Sequence, residues 1–259
     1  MKSILPERLS IELTNYCTKG CSFCYNASTK EGATTWTNQE LIPFIIDCTN
    51  HGSKAVSFGG GEPLEYEGLF DLLTNLKGKL YRSLTTNGLK LNQENLEQLQ
   101  KSKPDKVHIS IHFPNKQAEV TRVRDQVLEL EKRGITSGVN MLVEKHKLKD
   151  VEHATNFLKK SGIGLNKIIF LPLKSVSSPE HLTNANDILS VTEGQNFQSM
   201  SCLKKCNKSP RFCAIGWDKM VSWCSYTSSR NPLHSLNAKG LAQALDNLEL
   251  IYCGTMSRV

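Results

Sequence analysis

Six segments with the apolar periodicity of β-strands alternate with segments of helical periodicity over about the first two-thirds of the chain. The strands are predicted at residues 9–13, 54–58, 80–86, 106–112, 138–143 and 166–173. Strands that alternate with helices form parallel βαβ units. Six units fall short of the eight units and about 250 residues of a closed TIM barrel. The sequence therefore predicts an α/β fold, a partial (β/α)6 TIM-type barrel with a small Cys-rich C-terminal extension.

The helical segments separate these strands and set the expected domain boundaries. They are predicted at residues 39–50, 69–76, 91–100, 118–132 and 148–160, with a further short helix near Asp187. Asn38 is the expected N-cap of the first helix, and Cys48 is expected to be a small buried core residue. We expect a barrel core over residues 1–174, a polar linker over 175–199 and a Cys-rich region over 200–259.

The composition limits the class of protein. A hydrophobic content of 39% fits a globular chain, and no apolar run approaches the ~18 residues of a membrane span. Residues 1–8 lack the apolar region of a signal peptide. Nine cysteines without a secretion signal indicate metal or redox chemistry in a reducing compartment. We expect a cytoplasmic protein.

A cysteine triad with C-x₃-C-x₂-C spacing directly follows the first predicted strand. Its members are Cys17, Cys21 and Cys24. A [4Fe–4S] cluster normally takes four thiolates, so three thiolates would leave one iron open to a substrate or cofactor. The alternatives are a zinc loop or unligated thiols. Zinc favours paired C-x₂₋₄-C spacings and a fourth protein ligand, and no further Cys or His lies close by in sequence.

Two more turns follow predicted strands. The second strand leads into Gly59, Gly60, Gly61 and Glu62, and the third ends in Thr85-Thr86-Asn87-Gly88. Glycines let the backbone approach a ligand closely, and Glu62 offers a carboxylate to a cationic group. A plain tight turn explains either segment equally well when it is taken alone.

The fourth predicted strand places three polar side chains on one face. They are His108, Ser110 and His112, and they alternate with apolar residues. Helices would cover the apolar face, so the polar face is expected to line the barrel interior. His112 is a candidate catalytic base or substrate ligand, but a simple barrel histidine is the favoured interpretation.

The cysteine triad, the aromatic Phe23 before its last member and the Gly-Gly-Glu-Pro turn together resemble the radical S-adenosylmethionine (radical SAM) superfamily. The resemblance covers about two-thirds of the chain. It implies that Cys17, Cys21 and Cys24 ligate a [4Fe–4S] cluster whose open iron binds S-adenosylmethionine (SAM). The reduced cluster then splits SAM into methionine and a 5′-deoxyadenosyl radical.

The same resemblance implies the SAM contacts. Phe23 is expected near the adenine, and the residues Gly59, Gly60, Gly61 and Glu62 are expected to hold the methionine amino group. Thr86 and Asn87 fall near the SAM site. Ser110 is expected at the ribose and Arg122 at the carboxylate, with Arg124 close enough to compete. Asn140 is expected at the ribose or the methionine moiety.

Five further cysteines occupy the last quarter of the chain. They are Cys202, Cys206, Cys213, Cys224 and Cys253. Cys213 and Cys224 bracket an expected glycine turn and short hairpin, which resembles the SPASM and twitch extensions that hold auxiliary clusters. The spacing departs from both types. One auxiliary [4Fe–4S] cluster on the first four cysteines is expected, with a zinc site or other uses of the thiols as alternatives. Cys253 is a fourth ligand, a spare thiol or a hydrogen-atom donor.

The leading functional hypothesis is a radical SAM enzyme whose radical abstracts hydrogen from a substrate C–H bond, in the modification of a ribosomally made peptide. The alternatives are dehydrogenation or other modification of a small molecule, a glycyl-radical activase, and a non-enzymatic Fe–S or zinc binding protein. The resemblance also implies a flavodoxin- or ferredoxin-type reductant. The net charge of +7 is spread over short basic runs, which favours a solvated surface over a nucleic-acid groove.

Overall fold

The strands and helices follow the predicted alternation. The computed structural model describes residues 5–173, 183–194, 208–209 and 211–250. The elements are β1 (Arg8–Thr14), α1 (Asn38–Asn50), β2 (Ala55–Gly60), α2 (Leu69–Asn75), β3 (Tyr81–Thr86), α3 (Gln93–Ser102), β4 (Lys106–Ile111), α4 (Gln117–Lys132), β5 (Ser137–Val143), α5 (Leu148–Lys160), β6 (Ile168–Pro172), α6 (Ala185–Val191), β7 (Phe212–Ile215), β8 (Met220–Ser222), β9 (Asn231–Pro232) and α7 (Ala238–Leu245). The six strand–helix repeats and the α/β class are confirmed.

The described residues form two compact units. Residues 5–106, 208–209 and 211–250 make up the first unit, and residues 107–173 and 183–194 make up the second. In the first unit the strand order is β3-β2-β1-β7-β8-β9. The pairs β3–β2, β2–β1 and β1–β7 are parallel, whereas β7–β8 and β8–β9 are antiparallel. In the second unit β4, β5 and β6 pair in parallel in sequence order.

The two faces of β1 differ in chemistry. Leu9, Ile11 and Leu13 are fully buried on one face, and the period of two puts Ser10, Glu12 and Thr14 on the other. Helix α1 contributes fully buried apolar residues to the same core: Leu41, Phe44, Ile45 and Cys48. The prediction that Cys48 is a core residue is confirmed.

Strand β7 joins the edge of β1 in parallel, which the sequence did not predict. Cys213 pairs with Leu9, and Ile215 pairs with Ile11. The expected hairpin after Cys213 is confirmed, because β7 and β8 pair through a turn at residues 216–219. The C-terminal hairpin therefore extends the sheet of the first unit. The domain boundaries expected from the sequence stay a prediction.

Helix α1 begins differently from the prediction. Its N-cap is Thr37, which forms a capping box with Glu40, and not Asn38. The Asn38 amide instead donates to the carbonyl of Gly68 at 2.8 Å, and its oxygen accepts the Tyr66 hydroxyl at 2.9 Å. The Asn38 side chain therefore ties α1 to the start of α2, and Thr37 caps the helix instead.

Contacts between distant segments hold the hairpin against α1. The indole of Trp36 donates to the carbonyl of Gly216 at 3.1 Å. Lys219 donates to Glu40 at 2.6 Å. The backbone N–H of Ala238, at the start of α7, donates to an Asp47 carboxylate oxygen on α1 at 2.7 Å. The turn of the hairpin and the start of α7 are therefore both fixed to the segment that contains Trp36 and α1.

Arg82 is a buried structural cation on β3, and we expect its loss to be costly. Its side chain is 3% exposed and lies 3.1 Å from Asp105, and it also donates to the carbonyls of Leu73 and Ser102 at 2.6 and 3.1 Å. Replacement by Met leaves these acceptors without their donor. We expect urea unfolding to report a loss of about 3 kcal/mol.

The control for this prediction is Lys54→Met. Lys54 pairs with Glu7 at 3.1 Å, but its side chain is 73% exposed. Exposed pairs contribute about 1 kcal/mol or less. Equal losses in the two variants would contradict the structural role of Arg82.

The helices are also informative about membranes. Within the part of the chain that the structure describes, every helix is too short or too polar to cross a lipid bilayer.

Candidate functional site

The cysteine loop begins where β1 ends and folds back on itself. The Cys17 N–H donates to the carbonyl of Thr29 at 2.8 Å, and the Cys24 N–H donates to that of Cys21 at 3.0 Å. The thiols of Cys17, Cys21 and Cys24 are all half-buried. One short loop therefore carries three half-buried cysteines at the carboxyl edge of the sheet, where α/β folds place their chemistry.

Glu65 anchors the cysteine loop by accepting two hydrogen bonds from Thr18. It accepts the hydroxyl of Thr18 at 2.6 Å and the Thr18 N–H at 3.0 Å. Lys90 lies 3.7 Å from the same carboxylate, which is 5% exposed. Because Glu65 belongs to the turn that follows the glycines, the cysteine loop and the glycine loop are held together.

The glycine loop packs backbone to backbone against the end of β1. The Gly61 N–H donates to the carbonyl of Thr14 at 2.7 Å, and the Glu62 N–H donates to the carbonyl of Tyr16 at 2.9 Å. A Cβ atom at Gly61 would lie 2.1 Å from the Tyr16 carbonyl oxygen, and Gly60 adopts a φ of +101°. Only glycine satisfies both the contact and the dihedral angle.

Glu62 is a buried acceptor for three donors from its own unit. It is 1% exposed. Its carboxylate accepts the Thr86 hydroxyl at 2.6 Å, the Asn87 N–H at 2.8 Å and the Leu64 N–H at 3.0 Å. Burial raises the pKa of Glu62, and these hydrogen bonds oppose the rise. The carboxylate therefore joins the glycine loop to the turn after β3.

That turn places Asn87 beside the first cysteine. The Asn87 amide nitrogen lies 3.7 Å from the Cys17 sulfur, within donor distance for sulfur. Burial raises the pKa of the Cys17 thiol, the Lys19 and Gly20 amides lower it, and the charge of Glu62 raises it further. A bound metal deprotonates a coordinating thiol outright. The protonation state of the Cys17 sulfur therefore depends on whether a metal is bound.

The three thiols fit the group that the resemblance implies. They are soft ligands on one loop, as an iron–sulfur cluster requires, and the closely packed glycine backbone lies alongside them. Within the described ranges no three His, Cys, Asp or Glu side chains converge on a single-ion position. A cubane distributes its thiolates over different irons, so it does not need such convergence.

The remaining expected SAM contacts lie in the second unit. Ser110 on β4 pairs with Asn140 on β5, and both are 8% exposed. Arg122 on α4 donates to Gln126 at 2.8 Å, whereas the competing Arg124 stacks 5.0 Å from the centre of the Phe157 ring. The choice between Arg122 and Arg124 and the other SAM contacts of this unit stay predictions.

His112 and Phe23 are two further candidate residues, and they lie on different segments of the chain. Strand β4 ends at Ile111, so His112 lies just beyond it. The His112 N–H donates to Glu119 at 2.9 Å, and its ring lies 3.9 Å from that carboxylate. Phe23 lies inside the cysteine loop, one residue before Cys24. The roles of both residues stay predictions.

The C-terminal cysteines are only partly described. Cys202, Cys206 and Cys253 lie outside the described residues. Cys213 is fully buried, and burial, followed by the nearby Cys48, raises the pKa of its thiol. Its pairing with Leu9 puts it on the core face of the sheet. Cys224 is half-buried. The setting of Cys213 is that of a core thiol, and an auxiliary cluster stays a prediction.

Sequence reasoning missed Glu12, which occupies the polar face of β1. It is 2% exposed and pairs with Gly59 on β2. The signal was present in the sequence, because a carboxylate at an alternating strand position is expected either in water or at a site.

A family model described as the radical SAM superfamily matches residues 11–183 of the chain. A probable GTP 3′,8-cyclase of Methanocaldococcus jannaschii is 30% identical over 179 residues, which are 64% of this chain and 59% of that protein. A GTP 3′,8-cyclase of Clostridium perfringens strain SM101 is 27% identical over 193 residues, 68% of this chain and 59% of that protein. The chain thus spans about three-fifths of these curated relatives.

Solved structures show the same fold. Streptococcus suis SuiB bound to S-adenosylmethionine has a TM-score of 0.68 at 15% identity, covering 85% of this chain and 60% of that one. Native anSMEcpe with bound AdoMet has a TM-score of 0.65 at 17% identity, covering 92% and 81%. These likenesses confirm the partial-barrel fold class.

Proposed function

The chain belongs to the radical SAM superfamily, and on that premise we propose that it cleaves SAM to abstract hydrogen from a substrate C–H bond. When bound, the cluster supplies the electron that splits the sulfonium of SAM into methionine and a 5′-deoxyadenosyl radical. Cys17, Cys21 and Cys24 would hold it. A flavodoxin- or ferredoxin-type protein would supply the electron in the cell.

The observation that carries this proposal is the joining of three loops at one edge of the sheet. Glu62 binds Thr86 and the Asn87 N–H, and the Asn87 side chain reaches the Cys17 sulfur. The chain's own residues therefore fix the glycine backbone next to the cysteine loop. Carbonyl groups of Gly59 to Gly61 would orient the SAM amino group, and Asn87 would donate to the ligating sulfur.

For the substrate we propose a ribosomally made peptide. Support comes from proteins of the same fold, because SuiB has been crystallised with its precursor peptide SuiA and anSMEcpe with the Cp18Cys peptide. The second candidate is a nucleotide, since the sequence relatives are named GTP 3′,8-cyclases. The auxiliary cluster at Cys202, Cys206, Cys213 and Cys224 would bind substrate or accept an electron, and Cys253 and His112 stay candidate hydrogen-atom donor and base.

The proposal predicts reductive SAM cleavage by the isolated protein. After anaerobic reconstitution with iron and sulfide, the chain should hold about four irons or more and convert SAM to 5′-deoxyadenosine and methionine once dithionite is added. Chromatography measures both products. A fully loaded protein that forms neither product would favour the Fe–S binding protein, and stoichiometric zinc in place of iron would reject the cluster.

A further inference from the structure

Glu12 is a buried carboxylate without a hydrogen-bond partner among the described residues. Neither of its oxygens makes a hydrogen bond there, and the side chain is 2% exposed. Burial of an unpaired charge is unfavourable. A fold tolerates such a carboxylate when a bound group from outside the chain donates hydrogen bonds to it, or when a nearby cation compensates for the cost of burying its charge.

Arg230 is the cation next to Glu12, and it compensates only in part. Its guanidinium nitrogen lies 4.0 Å from the carboxylate, which is beyond hydrogen-bond distance. Its other terminal nitrogen donates to the Ser225 carbonyl at 3.0 Å. Burial raises the pKa of Glu12 to about 7, Arg230 lowers it and Asp218 raises it. The Trp217 N–H also lowers this pKa, although it approaches the carboxylate without reaching hydrogen-bond geometry. Burial therefore outweighs the attraction of Arg230.

The surroundings of Glu12 connect it to the cysteine loop and to the hairpin turn. Tyr25, which follows Cys24, packs on Tyr226 with ring centroids 5.1 Å apart. The Tyr25 residue as a whole is 40% exposed, but its phenol lies among protein atoms, and this burial, followed by the charge of Glu12, raises the pKa of Tyr25 well above its usual value. On the other side, Asp218 and Arg230 both lie close over Gly216. All these residues belong to the first unit.

Open space lies over Gly59, on the same face of the sheet as Glu12. Gly59 pairs with Glu12 in the parallel register, and paired residues point to the same face. A Cβ atom added at Gly59 would meet no atom within 4 Å. An open position therefore lies over Gly59, on the face of the sheet that carries Glu12, whose two carboxylate oxygens are themselves closed to solvent.

We propose that Glu12 and Arg230 form a substrate subsite for an amide edge, in which an N–H lies beside a C=O. An ionised Glu only accepts and an Arg only donates, so the pair matches an N–H for Glu12 and a carbonyl for Arg230. A trans peptide bond points these groups in opposite directions. The matching groups are a primary carboxamide, as in Gln or Asn side chains, and the lactam edge of guanine. This inference rests on the proposed function.

Ligand-observed NMR on the reconstituted protein with SAM tests the subsite without turnover. The probes are N-acetylglutamine methylamide for the carboxamide and GTP for the lactam, with ATP, which has no ring carbonyl, as the mismatch. We expect the wild type to bind one of the first two, and Glu12→Gln to weaken that binding by about tenfold or more. Glu7→Gln, at an exposed ion pair, should bind as the wild type does.

Some outcomes of this experiment identify the ligand as a nucleotide or a peptide, and others would overturn the subsite. Binding of GTP but not ATP assigns a nucleotide lactam, and binding of the glutamine probe assigns a peptide carboxamide. Binding of neither probe, or equal binding by wild type and Glu12→Gln, would overturn the subsite. SAM cleavage by the wild type separately decides the proposed function, because it needs neither probe.

Thermal unfolding against pH separates a subsite from a structural ion pair. The unfolded carboxyl ionises near 4.5 and the folded one near 7, so the folded protein holds an extra proton between these values. Wild-type stability should fall as pH rises through this window and then level off. Glu12→Gln should lose less over the same window and melt higher at pH 8. A lower melting temperature for Glu12→Gln at pH 8 would show that Glu12 stabilises the fold and would reject the proposal.

Discussion

Replacement of Cys24 by Ala should abolish the reductive cleavage of SAM. Cys24 is one of three thiols on the loop after β1 and is half-buried. Loss of an outer-shell partner alone costs a metal site about 10–100-fold in affinity or activity, so loss of a direct ligand should cost more than about a hundredfold. Iron and sulfide content, the EPR spectrum of the reduced protein and 5′-deoxyadenosine formation measure the effect.

Cys48→Ala is the matched control, because it removes a thiol that the structure places in the core. Cys48 lies on α1 and is fully buried, and burial raises its pKa to about 12. The variant should lose stability through a small cavity but keep its iron and its cleavage of SAM. If Cys24→Ala keeps full cleavage, or if Cys48→Ala loses its iron, the assignment of ligands to the loop is wrong.

The local parts of the fold could be predicted because their signals are local. Alternation in β1 and β4 and the helical period of α4 and α5 lie within single segments, and these elements appear within a few residues of the prediction. The start of α1 shows the limit of such signals. Thr37 and Asn38 are both good caps, and only the distant Gly68 and Tyr66, which engage the Asn38 side chain, decide between them.

The pairing of β7 with β1 could not be predicted, because about two hundred residues of chain separate partners such as Leu9 and Cys213. This pairing determines which face each cysteine occupies. The density of C-terminal thiols predicted a metal site, whereas register puts Cys213 with the core residues of β1. The same register places Glu12 on the face opposite the core, where Arg230, from the segment between β8 and β9, lies 4.0 Å from it. The sequence alone identified the cysteine and glycine loops. It did not identify Glu12 or Arg230, because they come together only when a distant segment of the chain joins the sheet.

Replacement of Gly61 by Ala should disrupt the contact between the glycine loop and the cysteine loop. The new Cβ atom would lie 2.1 Å from the Tyr16 carbonyl oxygen and 3.1 Å from the Asn15 carbonyl carbon. Both neighbours are backbone, so the two loops must separate. Overpacking of this kind costs about 1–3 kcal/mol or more. We expect lower stability in urea and poor incorporation of iron, because Glu62 and the N–H that binds Tyr16 move with Gly61.

Gly59→Ala provides the control, since the same methyl group there meets nothing within 4 Å. This variant should fold and take up iron like the wild type, because no neighbour has to move. Its methyl group projects into the open face beside Glu12, so equilibrium dialysis should show weaker binding of SAM. Normal SAM affinity in Gly59→Ala would remove Gly59 from the cofactor site, and normal iron content in Gly61→Ala would show that the two loops do not depend on each other.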